Sequence, residues 1–217
     1  MKRMLAMTAA TVLLVGCATS TPRTLADAVP APATAAAAQL EALYADYWEE
    51  QLRRHPLRAT ALGDPRYHGD LTNTLTPEFR TDSERLERAW LARVRAVESV
   101  GLSGQAKISY DIFVAQRERA IAMAQYLDWM LPLNQLGHPA ATVAQLGAGS
   151  RGQPFATVAD YDAWLKRGAA FVPVFDQTIA NLREGIKAGV VQPRVLVEKT
   201  IPQFDALIKA QPEDTLM

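Results

Sequence analysis

From about residue 39 onward, apolar side chains recur at helical spacing. Leu40, Leu43, Tyr44, Tyr47, Trp48 and Leu52 fall at i, i+3, i+4, i+7, i+8 and i+12, which is one face of a helix. His55-Pro56 ends that helix, because the residue before proline is pushed out of the α region. A second helix opens at Thr76-Pro77-Glu78, with Thr76 as N-cap and Pro77 in the first turn. Its stripe is Phe79, Leu86, Trp90, Val94 and Val97, and Gly101 is its expected end. The spacing predicts a third helix from about Gln105 to Met130, carrying Ile108, Ile112, Ala115, Ala122, Tyr126 and Trp129, with Pro132 closing it. A fourth starts at Thr157 with Asp160 in a capping-box pattern. Tyr161, Leu165, Val172, Phe175, Ile179, Leu182 and Ile186 follow, and Pro173 should kink or split it. A fifth begins near Pro193, carries Leu196, Thr200, Phe204 and Leu207, and has Pro202 as a second kink.

No segment alternates as a strand would, and no repeat recurs at a fixed period. The expected fold is therefore all-α: an array of about five or six helices, two with proline kinks, plus one long Gly/Pro-rich loop. That loop is Leu131 to Ala156, with Pro132, Gly137, Pro139, Gly147, Gly149, Gly152 and Pro154. Loops longer than about 12–15 residues are uncommon and are often functional or disordered. Aromatic residues at helical spacing are read as core rather than as a stacking platform. The charged face from Arg80 to Arg95 is read as solvated surface with helix-spaced ion pairs.

The first residues follow a different logic. Lys2 and Arg3 precede an apolar run from Met4 to Val15, then Gly16 and Cys17, the single cysteine. The run is too short for a membrane span, which takes about 20 apolar residues, and has the anatomy of a signal peptide. Leu14-Val15-Gly16-Cys17 resembles the bacterial lipobox, in which the cysteine thiol is diacylated and the chain is cut before it. Residues 1–16 are then a lipoprotein signal peptide, and Cys17 is the lipid-attachment residue. The alternatives are a plain buried thiol or a nearby cut without lipid. Ala18, where such lipoproteins carry Asp for inner-membrane retention, implies outer-membrane sorting. The expected location is lipid-anchored and periplasm-facing, with the membrane as a partner through the anchor. Residues 17–38 are rich in Ala, Thr and Pro and read as a flexible tether. Roughly 180 residues follow, enough for one domain with its own core.

The 23 basic and 23 acidic residues balance, and loss of Lys2 and Arg3 leaves the mature chain slightly acidic. No Lys/Arg-rich run stands out, so nucleic acid is not an expected partner. Candidate chemistry is sparse. Gly147, Gly149 and Gly152 fit the glycine spacing of a dinucleotide loop, but that motif needs a preceding strand and a following helix, and Pro154 blocks the helix. Ser150 lies in a near-match to a nucleophile elbow, which needs the same strand-to-helix setting. Both read as a glycine-rich turn. His55, His68 and His138 stand far apart without ligand-spaced partners and are expected on the surface or in loops. Asp160 and Asp162 sit at a helix start, where the dipole accounts for them. Glu49 and Glu50 are adjacent and point to different sides of their helix.

Several islands, in order, carry a family resemblance. They are Tyr47-Trp48; His55-Pro56 with Ala59-Thr60 and Gly63-Asp64; Asp111; Leu131-Pro132-Leu133-Asn134-Gln135 with Gly137; Tyr161-Asp162 with Leu165; and Leu182-Arg183-Glu184-Gly185 with Gly189 and Pro193-Arg194. From about Leu40 to Leu207 the chain resembles the N-terminal part of the bacterial domain-of-unknown-function family numbered 885. The resemblance implies a largely helical lipoprotein similar to zinc metallopeptidases of the gluzincin type. The family's metal motif, His-Glu followed shortly by Pro-Gly-His, has no counterpart here. No catalytic and no metal-binding residue is therefore assigned, and no cofactor is expected in residues 1–217, zinc being implied for a full-length protein. Residues 39–217 are expected to be the N-terminal portion of that longer protein, with the missing C-terminal region as partner and a peptide as substrate. The competing reading is a complete, non-enzymatic periplasmic helical binding module.

Overall fold

Four alanines from Ala35 to Ala38, the best helix-forming residues, extend the first helix backward past its first buried leucine. The computed structural model describes residues 35–209. The expected signal peptide, Cys17 and the expected tether up to residue 34 lie outside the described residues. The tether expected through Ala38 is corrected, since helix begins at Ala35.

Eight α-helices occur among the described residues: α1 Ala35–Arg54, α2 Pro56–Ala61, α3 Pro77–Arg95, α4 Gly104–Met123, α5 Pro139–Gly147, α6 Val158–Ala169, α7 Val172–Ala188 and α8 Arg194–Lys209. Two 3-10 turns, Pro65–Tyr67 and Asp128–Met130, complete them, and there is no strand among these residues. The all-α expectation is met, and the extra helices have local causes. Proline at the start of α2 lets the chain re-enter a helix directly after the break at His55. Within the expected long loop, His138 caps α5 and Pro139 opens it, ahead of a run of good helix formers. The fourth expected helix is split into α6 and α7 at residues 170–171, with Pro173 in the first turn of α7 and Phe171 buried at the joint.

The core sits where α1, α3 and α4 meet. Leu40, Leu43, Trp90, Val94, Val97 and Phe113 form one buried cluster. Tyr47 bridges it, with its ring edge-on to both Trp90 and Phe113. Trp48, Tyr126 and Tyr161, also expected in the core, are exposed. The stripe expected on α4 is on the wrong face. Ile108 and Ile112 are 53% and 50% exposed, and Phe113 and Arg117 are buried instead. The inward face was masked because it carries a cation. Arg117 Nε pairs with Glu87 at 2.5 Å, and its guanidinium lies 4.3 Å from the Tyr47 ring and 4.8 Å from Phe113. Burial pushes the Glu87 carboxyl above its usual range, although Arg117 draws it down.

Two helix ends move. α3 stops at Arg95 rather than Gly101, because the chain turns at Ala96 and sends Val97 into the core. α4 stops at Met123, and the turn that follows carries Met130 inward against α7. The rest of α3 behaves as expected. Thr76 Oγ1 accepts from the Phe79 amide at 3.1 Å, and Arg85 and Arg88 pair with Asp82 and Glu84 one turn away.

A buried cation joins the chain's distant segments. Arg167 of α6 is fully buried. Its guanidinium donates to the Asp70 carbonyl at 3.0 Å, Gln153 Oε1 at 2.7 Å, Thr60 Oγ1 at 2.9 Å and the Tyr67 carbonyl. The fork-shaped donor set of arginine can serve acceptors in several directions, which no other side chain does. Burial pushes the guanidinium down to about 10, so it remains a cation at neutral pH. One residue thus ties α2, the Pro65–Tyr67 turn and the Gln153 segment to α6.

Candidate functional site

The end of α7 is shaped by two glycines. Gly189 adopts φ 73°, the left-handed C-cap conformation that glycine takes without strain. The Val190 amide then donates back to the Gly185 carbonyl at 2.8 Å. Gly185 is needed for closeness. A Cβ there would stand 2.6 Å from the Val190 carbonyl oxygen and 3.1 Å from that of Met130. The residues from Leu182 to Pro193, where the family resemblance is densest, are therefore a turn that lets two other segments touch the helix.

Above this turn α7 is inside out. Its buried face is Val174, Thr178, Asn181 and Gly185, largely polar or small. Asn181 Nδ2 donates to the Leu75 carbonyl at 3.0 Å, and the Thr178 hydroxyl donates to the Val174 carbonyl at 2.8 Å. Much of the apolar stripe read from the sequence faces outward, with Val172 61%, Ile179 46% and Ile186 68% exposed, while Phe175 and Leu182 are half-buried. On α8, Thr200 is buried, and Val195, Val197, Ile201 and Ile208 are exposed.

Between α7, α8 and the Leu131–Leu133 segment lies a groove of about 430 Å³, lined by Leu133, Leu182, Ile186, Val197, Ile201 and Phe204, with Asp205 at its edge. Polar clamps tie α8 and the residues before it to the Leu133–Gln135 stretch. Gln192 Nε2 donates to the Leu133 carbonyl at 3.2 Å, and Gln203 Nε2 to the Gln135 carbonyl at 3.1 Å. His138 lies under α8. Its Nδ1 accepts from the Ala141 amide, so the neutral ring carries its proton on Nε2 and donates to Gln203 Oε1 at 3.1 Å. The groove offers no nucleophile and no acid–base pair. It can bury an apolar helix face.

The three histidines are not brought together. His138 sits in the loop before α5, one of the two places expected for it, but it is buried and engaged as a cap rather than on the surface. His55 is half-buried between α1 and α2, edge-on to Phe79, and burial with Arg54 and Arg58 nearby holds it below its usual range. His68 is half-buried in the segment after the Pro65–Tyr67 turn. Among the described residues no group of three His, Cys, Asp or Glu side chains is able to hold a metal ion. Ser150 donates its hydroxyl to the Gln145 carbonyl at 2.7 Å, in the glycine turn that follows α5. Asp160 closes the capping box with Thr157, while Asp162 is exposed on α6. Glu49 and Glu50 part as expected, Glu49 to Arg66 and Glu50 to Trp90 Nε1. Periodicity missed Arg117, Arg167 and Asn181, since each is a polar residue on a buried face. The available signal for Asn181 was its place, with Thr178 and Gly185, on one face of an otherwise apolar helix.

Fold and groove together define an all-α helical array that presents an uncovered apolar face. The chain belongs to the family of bacterial proteins of unknown function called DUF885, whose model matches residues 56–217. The match begins at Pro56, so most of the resemblance read from the sequence lies inside it and α1 lies outside. No curated protein and no solved structure matches the chain. No helix among the described residues is long and apolar enough to cross a membrane.

Proposed function

We propose that this chain is the membrane-anchored, amino-terminal part of a periplasm-facing zinc peptidase, and that the groove and outward faces of α7 and α8 receive a C-terminal part carrying the metal. The observation that supports this most is on α7, where Val172, Ile179 and Ile186 stay exposed while Thr178, Asn181 and Gly185 are buried beside Val174. A solvent-facing stripe of this kind marks an interaction surface. The family resemblance supplies the occupant, since its metal motif has no counterpart within residues 1–217.

Zinc hydrolysis needs about three protein donors around an open position. The described residues do not fit that requirement. His138 has both ring nitrogens engaged, and the acids and histidines do not converge. The role of this chain is therefore positional. The Gly185 turn sets α7 against the Met130 segment, and this shapes the receiving face, while Arg167 holds α6 to α2 and the stretch from Tyr67 to Asp70. A product that extends past Met217 into the His-Glu motif should contain stoichiometric zinc and hydrolyse peptides, losing both on mutation of that motif. Elemental analysis beside a hydrolysis assay checks this, and an extended product with neither zinc nor hydrolysis would contradict it.

The anchor has its own test. Two or three acyl chains hold a protein stably at a membrane, whereas one does not. Cells given a clickable palmitate analogue should label the protein, and Cys17→Ser should abolish the label. Undiminished labelling of Cys17→Ser would refute the anchor.

A further inference from the structure

A second cavity, of about 530 Å³, opens between the end of α1, the first half of α3 and the end of α4. It is richer in chemistry than the apolar groove, and the proposed peptidase reading makes no use of it. Most charged groups around it are already committed. Arg54 donates to Asp82 at 2.5 Å and Ser83 at 2.7 Å, and stacks 4.5 Å from the Phe79 ring. Glu84 holds Arg88, and Glu87 holds Arg117.

Arg80 is different. It is half-buried, and its guanidinium lies 4.1 Å over the Trp129 ring. Nη1 donates to the Leu75 carbonyl at 2.7 Å. It has no carboxylate partner among the described residues. An arginine carries five N–H donors in a rigid fork, and one carbonyl leaves most of that fork for something else. The Leu75 carbonyl and Trp129 hold the fork in place, so little freedom is lost when an anion binds. Arg80 also lies in the first turns of α3, a 19-residue helix, where the dipole favours negative charge.

The remaining walls select the ligand. Phe79, Met123, Tyr126 and Trp129 give the cavity an apolar side. Met123 and Tyr126 stay exposed beside it, which leaves the way in open. Glu84 and Glu87 are paired, but Asp128 lines the same space and offsets part of the Arg80 charge, which disfavours a dianion such as phosphate. A single open cation beside aromatic surface suits one negative charge on an apolar body.

We propose that this cavity binds a monoanionic organic carboxylate, with the carboxylate on Arg80 and the apolar body against Trp129, Phe79 and Tyr126. A peptide ending in an apolar residue has this chemistry. So does a medium-chain fatty acid, and the two sources are separable by experiment.

The test is calorimetric titration of the full chain with N-acetyl-leucyl-phenylalanine, with its C-terminal amide and with octanoate. The acid should bind saturably and the amide at least about tenfold more weakly, as expected for loss of a charge-assisted pair. Octanoate binding as tightly as the peptide acid assigns the site to simple carboxylates, and weaker octanoate assigns it to peptide ends. Arg80→Gln should weaken the acid about tenfold and leave the amide unchanged, and Arg80→Lys should fall between. Arg194→Gln, on the exposed side of α8, should change nothing. Equal binding of acid and amide overturns the proposal without any variant. So does the absence of saturable binding, or a folded Arg80→Gln that binds the acid as tightly as the wild type.

Discussion

Arg167→Ala is expected to lower the melting temperature by on the order of 10 °C, the largest effect of any single truncation in this chain. The change leaves four acceptors from three segments without their donor, namely the Thr60 hydroxyl, Gln153 Oε1 and the carbonyls of Tyr67 and Asp70. Thr60 and Gln153 are themselves buried, so water does not readily replace the guanidinium. Hydrogen bonds to a charged group contribute roughly 1.5–3 kcal/mol each and are not additive within one network. The lost side-chain volume adds a cavity cost. Together these give about 4 kcal/mol, and about 2–4 °C per kcal/mol for a domain of this size. Arg167→Met should do little better, because it fills the space and leaves the acceptors bare. Arg167→Lys keeps the charge but places its three donors on one nitrogen, which cannot serve four directions. It should recover part of the loss. Thermal melts followed by circular dichroism check the order, and an Arg167→Ala variant that melts with the wild type would mean that these segments are held to α6 by other contacts.

Element type was legible in this sequence wherever local chemistry decided it. The Thr76-Pro77 cap, the Thr157/Asp160 capping box, the break at His55-Pro56 and the split at Pro173 are each properties of a few adjacent residues. Orientation was legible only where the inward face is also the apolar one, as on α3. On α4 and α7 the two faces are exchanged, for two distinct reasons. α4 buries Arg117 because Glu87 and two aromatic rings receive it. α7 turns Thr178, Asn181 and Gly185 inward because the Leu75 and Met130 carbonyls come close there. Neither partner is adjacent in sequence, so no periodicity could show it. The same is true of the groove, which exists only once the glycine turn folds α8 back against α7. The Gly/Pro-rich segment misled in the opposite direction. Its glycines and prolines do mark turns, but between Pro139 and Gly147 the chain has helix-forming residues behind a cap.

That exchange of faces has the largest consequence for function. Ile186 on α7 and Val197 on α8 both line the groove and both remain exposed. A chain with this face open should bind a hydrophobic dye and self-associate, because apolar patches of this kind are normally covered by a partner. Introducing charge at exposed positions has little effect on folding, within about 0.5 kcal/mol each. Ile186→Glu combined with Val197→Glu should therefore remove the dye signal and the association while leaving the melting temperature in place. On the proposed function, the α7–α8 face receives a further part of the same protein. The most direct measurement is dye fluorescence and sedimentation of three samples, namely this chain, the double variant and a product extended through the family's His-Glu motif. Several-fold dye enhancement and association are expected for the chain alone, and silent, dispersed behaviour for the other two. A chain that is monomeric, dye-silent and cooperative in unfolding would contradict the claim and identify the helical array as a complete binding module.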